Sequence, residues 1–179
     1  MDFDVVSNSP EETIEVGRKV GSQLKGGEVV AVCGALGSGK THLIKGIASG
    51  VGAAESKKVT SPTFVIINEY IRLRQSSSAS SFAKATEDRQ ATKDGGYAGQ
   101  EGRLDIYHID AYRLGSILEF EMIGFDDYCQ PGSVVLIEWA DKIESALENI
   151  DYIRAELFHA GESKRKIHIE NVPDYIRLR

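Results

Sequence analysis

The residues best suited to chemistry form a glycine-rich loop that reads GALGSGKT at residues 34–41. This is a complete GxxxxGK[ST] pattern, which is typical of loops that hold nucleotide phosphates on backbone N–H groups. Lys40 can place its ammonium on the β- and γ-phosphate oxygens, and Thr41 can offer its hydroxyl to Mg²⁺. Glycine allows the tight turns and close backbone approach that a Cβ would obstruct. The loop glycines are Gly34, Gly37 and Gly39.

The segments around the loop have the order that a phosphate site requires. Residues 28–33 are a short apolar run that predicts a buried strand, and residues 41–48 carry apolar residues at helical spacing. The positive end of a helix dipole directly after the loop favours bound anions. The alternative is an ordinary glycine-rich turn with a solvated lysine, and the order of strand, loop and helix argues against it.

Two further strands are predicted to end in an acid. Residues 104–110 alternate in polarity and finish at Asp110, and residues 133–139 run through four apolar positions into Glu138. Two carboxylates at two strand ends can converge on one metal ion, although each alone could be only a strand-terminal charge. Glu138 is the stronger candidate because its strand is the more apolar. We interpret His108 as a hydrogen-bonded structural group rather than a catalytic one.

Other elements are predicted to form the scaffold. Ser9, Pro10 and Glu12 carry the pattern of a helix N-terminus with a capping box. We expect the helix to pack its apolar side on the sheet, and the residues of that side are Ile14, Val16, Val20 and Leu24. Residues 60–68 predict a loop that leads into a strand reaching about residue 73.

The second half of the chain predicts a helix, a turn and a hairpin. Residues 115–124 should be helical, and residues 125–128 should turn toward Pro131. Two alternating stretches, at 152–158 and 165–169, surround a short polar segment and predict an antiparallel hairpin. The sheet is therefore predicted to be mixed rather than purely parallel.

Composition narrows the class of protein. The length of 179 residues and the 41% of hydrophobic residues suit a single domain that spans residues 1–179. No stretch predicts a membrane span and the start lacks a secretory pattern, so we expect a cytoplasmic protein. The net charge of −6 argues against binding nucleic acid without a partner. Residues 75–103 are rich in serine and polar residues and predict a disordered insertion.

Five motifs together resemble the TsaE (YjeE) family. They are the glycine-rich loop, SPTF at residues 61–64, HIDAYRL at 108–114, GFDDY at 124–128 and LIEW at 136–139. The resemblance covers nearly the whole chain apart from the insertion. It implies a bacterial ATPase of a P-loop NTPase-like fold that works with the TsaB–TsaD pair in threonylcarbamoyladenosine modification of tRNA. The expected fold is an α/β three-layer sandwich with a mixed, mainly parallel sheet and a C-terminal β-hairpin.

The resemblance also implies roles for individual residues, with ATP and Mg²⁺ as the cofactors. Thr41 and Glu138 would hold the metal, and Asp110 would be the other essential acid. The predicted metal site therefore consists of Thr41, Glu138 and Asp110. Our hypothesis for the mechanism is that Asp110 orients water or a metal-bound water. Lys40 would stabilise charge on the leaving phosphate, so the predicted catalytic residues are Lys40, Asp110 and Glu138. The predicted ATP-binding residues are Thr13, Gly34, Gly37, Ser38, Gly39, Lys40, Thr41 and His42. Ser61 and Thr63 would act as a switch that senses the γ-phosphate.

Hydrolysis is expected to be slow until the partner complex docks, because no arginine finger is identifiable, although Arg113 is a candidate. Two other functions remain open. A small-molecule or nucleoside kinase on the same fold would need an acceptor pocket and a mobile arginine-bearing lid. The sequence contains no segment with the character of such a lid. A nucleotide-gated binding module would use hydrolysis only to reset an assembly. The chain departs from the family pattern in its long insertion and in Ser38, where alanine is common.

Overall fold

The computed structural model describes residues 1–53, 67–71 and 104–178. All of the strands in these ranges belong to one seven-stranded sheet. The strands are β1 (Phe3–Ser7), β2 (Val29–Gly34), β3 (Ile67–Ile71), β4 (Asp105–Asp110), β5 (Ser133–Glu138), β6 (Tyr152–His159) and β7 (Arg165–Glu170). The α-helices are α1 (Pro10–Gly21), α2 (Lys40–Val51), α3 (Ile117–Met122) and α4 (Phe125–Tyr128). Two 3-10 segments follow β4 and β5, at Ala111–Arg113 and Ala140–Leu147.

The strand order β1-β7-β6-β2-β5-β4-β3 sets which chain segments meet. The four central strands, β6, β2, β5 and β4, are parallel to one another, while the outer pairings are antiparallel. Because β2, β5 and β4 run side by side in the same direction, their carboxyl ends lie at one edge of the sheet. Glu138 is in register with Val32 on one side and with Asp110 on the other. The predicted α/β fold with a mixed sheet and a C-terminal hairpin is confirmed.

The alternation of side chains along the central strands divides the core between the two faces of the sheet. Val30, Val32, Val134 and Leu136 pack on one face against α1 and α2. The residues between them pack on the other face against α3, α4 and the 3-10 segment Ala140–Leu147. Helical elements cover both faces, as the prediction of three layers requires.

Helix α1 lies directly against α2 through glycines. A Cβ added at Gly17 would lie 2.3 Å from the carbonyl oxygen of Leu43, and one added at Gly46 would lie 2.1 Å from that of Ile14. Val20 and Leu24 are buried in the core as predicted. Val20 and Leu24 share one core cluster with residues of the sheet, as predicted, and the glycine surfaces in addition bring the backbone of α1 against α2. This packing carries the start of α1 to the glycine-rich loop.

Three elements differ in how well local sequence patterns predicted them: the start of α1, strand β1 and residues 125–128. Ser9 caps α1 by accepting the Glu12 N–H, but the Glu12 carboxylate accepts from the Asn8 N–H rather than from Ser9. Strand β1 was not predicted, and it pairs with β7 from the far end of the chain. Residues 125–128, predicted as a turn, form the one-turn helix α4, because Gly124 has φ 69° and Phe125 is buried.

Some predictions fall outside the described residues. Ser61, Thr63 and the whole of 75–103 lie there, as do the first and last residues of the strand predicted around β3. The helices of the described ranges include none with the length and apolar character needed to cross a bilayer.

Candidate functional site

The glycine-rich loop leaves the carboxyl end of β2 and leads directly into α2. Gly34, Gly37 and Gly39 have φ values of 134°, 74° and 100°, which L side chains rarely adopt. Gly34 also lies close to β6, since a Cβ there would be 2.5 Å from the Leu157 carbonyl oxygen. Gly39 is the N-cap of α2 and has no side-chain cap. The first turn of α2 therefore presents backbone N–H groups to the loop, which is the arrangement that favours a phosphate.

Lys40 is buried at the base of this loop, with 3% of its surface exposed. Its Nζ donates hydrogen bonds to the carbonyl oxygens of Gly34 at 2.8 Å and Ala35 at 2.9 Å. The same Nζ lies 3.2 Å from the centroid of the Trp139 ring, within the range of a cation–π interaction. Burial lowers the pKa of Lys40, and the negative charge of Glu138 opposes that shift.

Thr41 and Glu138 meet directly, although they are far apart in the sequence. Thr41 Oγ1 donates to Glu138 Oε1 at 2.6 Å, and the other carboxylate oxygen, Oε2, lies 3.2 Å from His108 Nε2. Burial acts to raise the pKa of Glu138, but the hydrogen bonds from His108 and Thr41 outweigh it and lower the pKa below its ordinary value. Glu138 is therefore a buried carboxylate held in its ionised form.

Asp110 lies at the end of β4, directly beside Glu138 in the parallel register. It is 3% exposed, and its Oδ1 accepts a hydrogen bond from the Tyr112 N–H at 3.1 Å. This bond caps the 3-10 segment that follows β4. The structure therefore brings together the two strand-end acids, as their positions in the sequence predicted. Arg113, at the end of the same 3-10 segment, is exposed.

The remaining predicted contacts of the nucleotide surround the loop. Thr13 is buried, shares a 2.8 Å hydrogen bond with Ser7, and places its Cγ2 within 3.9 Å of where a Cβ on Gly39 would lie. His42 is half-buried in the first turn of α2, and burial and the charge of Lys45 lower its pKa. The Ser38 side chain is fully buried, and its hydroxyl has no hydrogen-bond partner among the described residues.

The site contains contacts that the sequence did not reveal. Arg165, the first residue of β7, donates from Nε to the Ser38 carbonyl at 3.0 Å and from Nη2 to the Gly37 carbonyl at 3.1 Å. His159 Nε2 lies 3.3 Å from the Leu36 carbonyl oxygen. The β6–β7 hairpin thus supports the loop from outside. Arg165 is 127 residues from Ser38, and no local pattern signals such a contact.

The contacts of Trp139 were also not predicted, although the residue itself belongs to the LIEW motif. Its backbone is left-handed with φ 62°, which is uncommon for a bulky residue. The ring packs against that of Tyr112 at a tilt of 44°, with 4.9 Å between the centroids, and Lys142 Nζ lies 4.7 Å from the centre of the Tyr112 ring. A continuous column of aromatic and cationic groups therefore runs from exposed Tyr112 to buried Lys40.

The oxygen ligands at this site suit a metal ion that takes its remaining ligands from phosphates and water. Within the described ranges, no group of three or more His, Cys, Asp or Glu side chains could hold a metal ion by itself. Mg²⁺ is usually bound through one or two protein ligands together with substrate phosphates and water. The Thr41 hydroxyl and the Glu138 carboxylate are oxygen ligands of that kind. Because the Thr41 hydroxyl donates its hydrogen bond to Glu138, the lone pairs of Oγ1 can still bind a cation, and the residues present fit Mg²⁺.

Known proteins resemble this chain over most of its length. The model of the family described as "Threonylcarbamoyl adenosine biosynthesis protein TsaE" matches residues 7–79 and 95–167. The "tRNA threonylcarbamoyladenosine biosynthesis protein TsaE" of Treponema pallidum is 34% identical over 142 residues, which cover 79% of this chain and 82% of that protein. The protein of the same name from Bacillus subtilis is 32% identical over 159 residues, which cover 89% of this chain and 79% of that protein.

A solved structure has the same fold. The crystal structure of Bacillus subtilis YdiB superposes with a TM-score of 0.61 and 27% identity, over 94% of this chain and 84% of that one. The family model spans well over half of this chain, including the glycine-rich loop and both strand-end acids. The chain therefore belongs to the TsaE family, whose members take part in the biosynthesis of threonylcarbamoyladenosine in tRNA.

Proposed function

We propose that this protein is a Mg²⁺-dependent ATPase that acts with the TsaB–TsaD heterodimer in threonylcarbamoyladenosine modification of tRNA. The observation that carries the proposal is the 2.6 Å hydrogen bond between Thr41, in the glycine-rich loop, and Glu138, at the end of β5. That contact joins a phosphate-binding loop to an ionised carboxylate. Membership of the TsaE family supplies the pathway, and the site geometry supports the chemistry.

The loop and the start of α2 would bind the phosphates of ATP. Backbone N–H groups and the helix dipole favour negative charge there. Lys40 would exchange its hydrogen bonds with the loop carbonyls for the β- and γ-phosphate oxygens, and its ammonium would stabilise charge that develops in the transition state. Thr13, which packs beside Gly39, and His42 would line the same nucleotide site.

Mg²⁺ would supply positive charge that neutralises the phosphates of a bound nucleotide. Thr41 and Glu138 would hold it. Asp110 is buried beside Glu138 and is anchored by the Tyr112 N–H. We assign Asp110 to orienting the attacking water or a water on the metal. Ser61 and Thr63, which lie outside the described residues, remain proposed sensors of the γ-phosphate.

We assign the stimulation of hydrolysis to the partner complex. Phosphoryl transfer is usually accelerated by an arginine that reaches the transferred phosphate. Arg113 is exposed on the 3-10 segment after β4, and Arg165 is engaged with loop carbonyls. Slow turnover alone is therefore expected. With a net charge of −6, the chain should meet tRNA only through the complex.

The test is ATP hydrolysis by the full chain with and without the TsaB–TsaD pair, with Lys40→Ala as the blank. Stimulation by the pair that disappears in Lys40→Ala supports the proposal. Fast hydrolysis by the isolated chain contradicts the assignment to the partner. Transfer of phosphate to a small acceptor, with no response to the pair, would favour the kinase.

A second assay separates the enzyme from the binding module. For the binding module, Glu138→Gln should preserve ATP-dependent formation of the complex and block its release. For an enzyme whose hydrolysis drives modification, the variant should lose modification even when fresh complex is supplied in excess.

A further inference from the structure

His108 is a buried imidazole with no role in the chemistry above. It lies in the middle of β4, in register with Leu136 of β5 and with Asn68 of β3, and its exposed surface is 0%. Histidine is seldom fully buried, because the ring carries two polar nitrogens that lose water. A buried histidine beside the site therefore calls for a specific partner.

The partner is the Glu138 carboxylate. His108 Nε2 lies 3.2 Å from Oε2, while Thr41 Oγ1 donates to Oε1 at 2.6 Å. Each carboxylate oxygen is thus held by a different element, one by β4 and the other by α2. Rotating the carboxylate about its terminal bond would break both hydrogen bonds, so the two contacts together fix its orientation.

The second ring nitrogen supports this reading. His108 Nδ1 is buried and has no hydrogen-bond partner among the described residues. A histidine that serves only to connect parts of a core usually bonds through both nitrogens. In the described part of the chain, the imidazole is oriented by Glu138 alone. An ionised carboxylate only accepts hydrogen bonds, so Nε2 carries the proton and donates it.

We propose that His108 is a positioning residue for Glu138: it donates its Nε2–H to Oε2 and holds the carboxylate in the orientation that a metal ion at Thr41 and Glu138 requires. The inference rests on the proposed function, because it assigns Mg²⁺ to that site. His108 touches neither nucleotide nor metal and transfers no proton. Partners of metal ligands of this kind typically contribute 10- to 100-fold to metal affinity.

The main experiment measures metal-dependent nucleotide binding. A fluorescent, non-hydrolysable ATP analogue is bound to the full chain with no divalent ion and then across a titration of Mg²⁺. His108→Leu removes the donor at similar volume, and His108→Gln returns an amide N–H near the position of Nε2. Ile106→Val is the matched control, since Ile106 is fully buried two residues away on the same strand.

We expect His108→Leu to weaken the apparent affinity for Mg²⁺ about tenfold while metal-free binding of the analogue stays within about twofold. His108→Gln should recover most of the loss, and Ile106→Val should behave as wild type. The proposal is overturned if His108→Leu keeps wild-type metal affinity, or if it loses metal-free and metal-dependent binding equally, as general damage to the fold would produce.

A second measurement needs no metal or nucleotide. NMR of the protein labelled with ¹⁵N-histidine should find a proton on Nε2 of His108, and Glu138→Ala should perturb this signal. A proton on Nδ1 alone would overturn the proposal. If wild-type protein shows the proton on Nε2 but Mg²⁺ does not alter analogue binding, the proposed function fails while the histidine–carboxylate contact stands.

Discussion

The glycine-rich loop is held from two sides that differ in chemistry. On the inner side, buried side chains from separate elements contact one another, as in the bonds that join Thr41, Glu138 and His108. On the outer side, Arg165 donates to the backbone carbonyls of Gly37 and Ser38 from a partly exposed hairpin. The inner contacts orient groups that would act on a nucleotide, whereas the outer contacts maintain the path of the loop.

This difference predicts which substitutions alter chemistry and which alter only the loop. Inner groups have lost water, so each substitution there removes a contact in a low-dielectric setting where electrostatic interactions are strong. Outer hydrogen bonds compete with solvent and should contribute less.

The largest effect on stability is expected at Trp139. Trp139→Ala removes the cation–π contact with Lys40 and the tilted ring contact with Tyr112. Together these should lower the free energy of unfolding by about 2 kcal/mol. Urea denaturation followed by circular dichroism measures it. Tyr112→Ala is the comparison variant, because it keeps the Lys40 contact and removes the ring contact with Trp139 together with the cation–π contact with Lys142. A loss below about 0.5 kcal/mol would mean that the inner column does not stabilise the site.

A smaller effect is expected at Arg165. Arg165→Ala leaves the carbonyls of Gly37 and Ser38 to solvent, and ATP should bind about fivefold more weakly, or about 1 kcal/mol. Lys164→Ala removes the same charge from the hairpin turn without these bonds and should bind normally. Isothermal titration calorimetry gives the two affinities. Equal weakening in both variants would assign the effect to charge rather than to support of the loop.

Two buried serines beside the site should respond with opposite signs. Ser38 has an unpartnered hydroxyl within the described residues, whereas the Ser7 hydroxyl is hydrogen-bonded to Thr13, and both side chains are fully buried. Ser38→Ala should raise the free energy of unfolding by up to about 1 kcal/mol, and Ser7→Ala should lower it by a similar amount. Thermal denaturation of the pair checks the signs, and destabilisation by Ser38→Ala would reveal a partner for its hydroxyl.

The smallest effect concerns pH at the outer edge of the hairpin. Glu170 first, and then Asp4, raise the pKa of His168 through hydrogen bonds. Because the folded-state pKa lies above the unfolded one, this contribution is complete below about pH 6.5 and is lost as the pH rises through the folded-state value. The free energy of unfolding, measured with urea across this pH range, should fall with rising pH in the wild type and should not fall in His168→Gln. An equal fall in the variant would exclude His168 as its source.

Local sequence patterns predicted the central strands, α2 and the hairpin, because periodicity and turn residues act over a few positions. They also predicted that Asp110 and Glu138 each end a strand. The structure shows that these strands are adjacent and parallel, so the two acids lie at one edge of the sheet. Strand β1 and the contact of Arg165 with the loop depend on residues more than 100 positions apart. No local pattern carries that information.

The packing of α1 on the sheet was predicted, but its backbone contact with α2 was not. An apolar stripe indicates that a helix packs against other elements, but it does not identify all of those elements. Glycines at Gly17 and Gly46 allowed contact between two helix backbones, which hydrophobic periodicity does not register. Thr13 was assigned through family resemblance, and this helix contact explains how α1 brings it beside Gly39.

The central claim is that Thr41 and Glu138 form a Mg²⁺ site for a bound nucleotide. Calorimetry of ATP binding with and without Mg²⁺, for the wild type and for Glu138→Gln, tests it most directly. The account predicts that Mg²⁺ strengthens binding to the wild type about tenfold or more and hardly affects the variant, with similar metal-free affinities. A full Mg²⁺ effect in Glu138→Gln would contradict it.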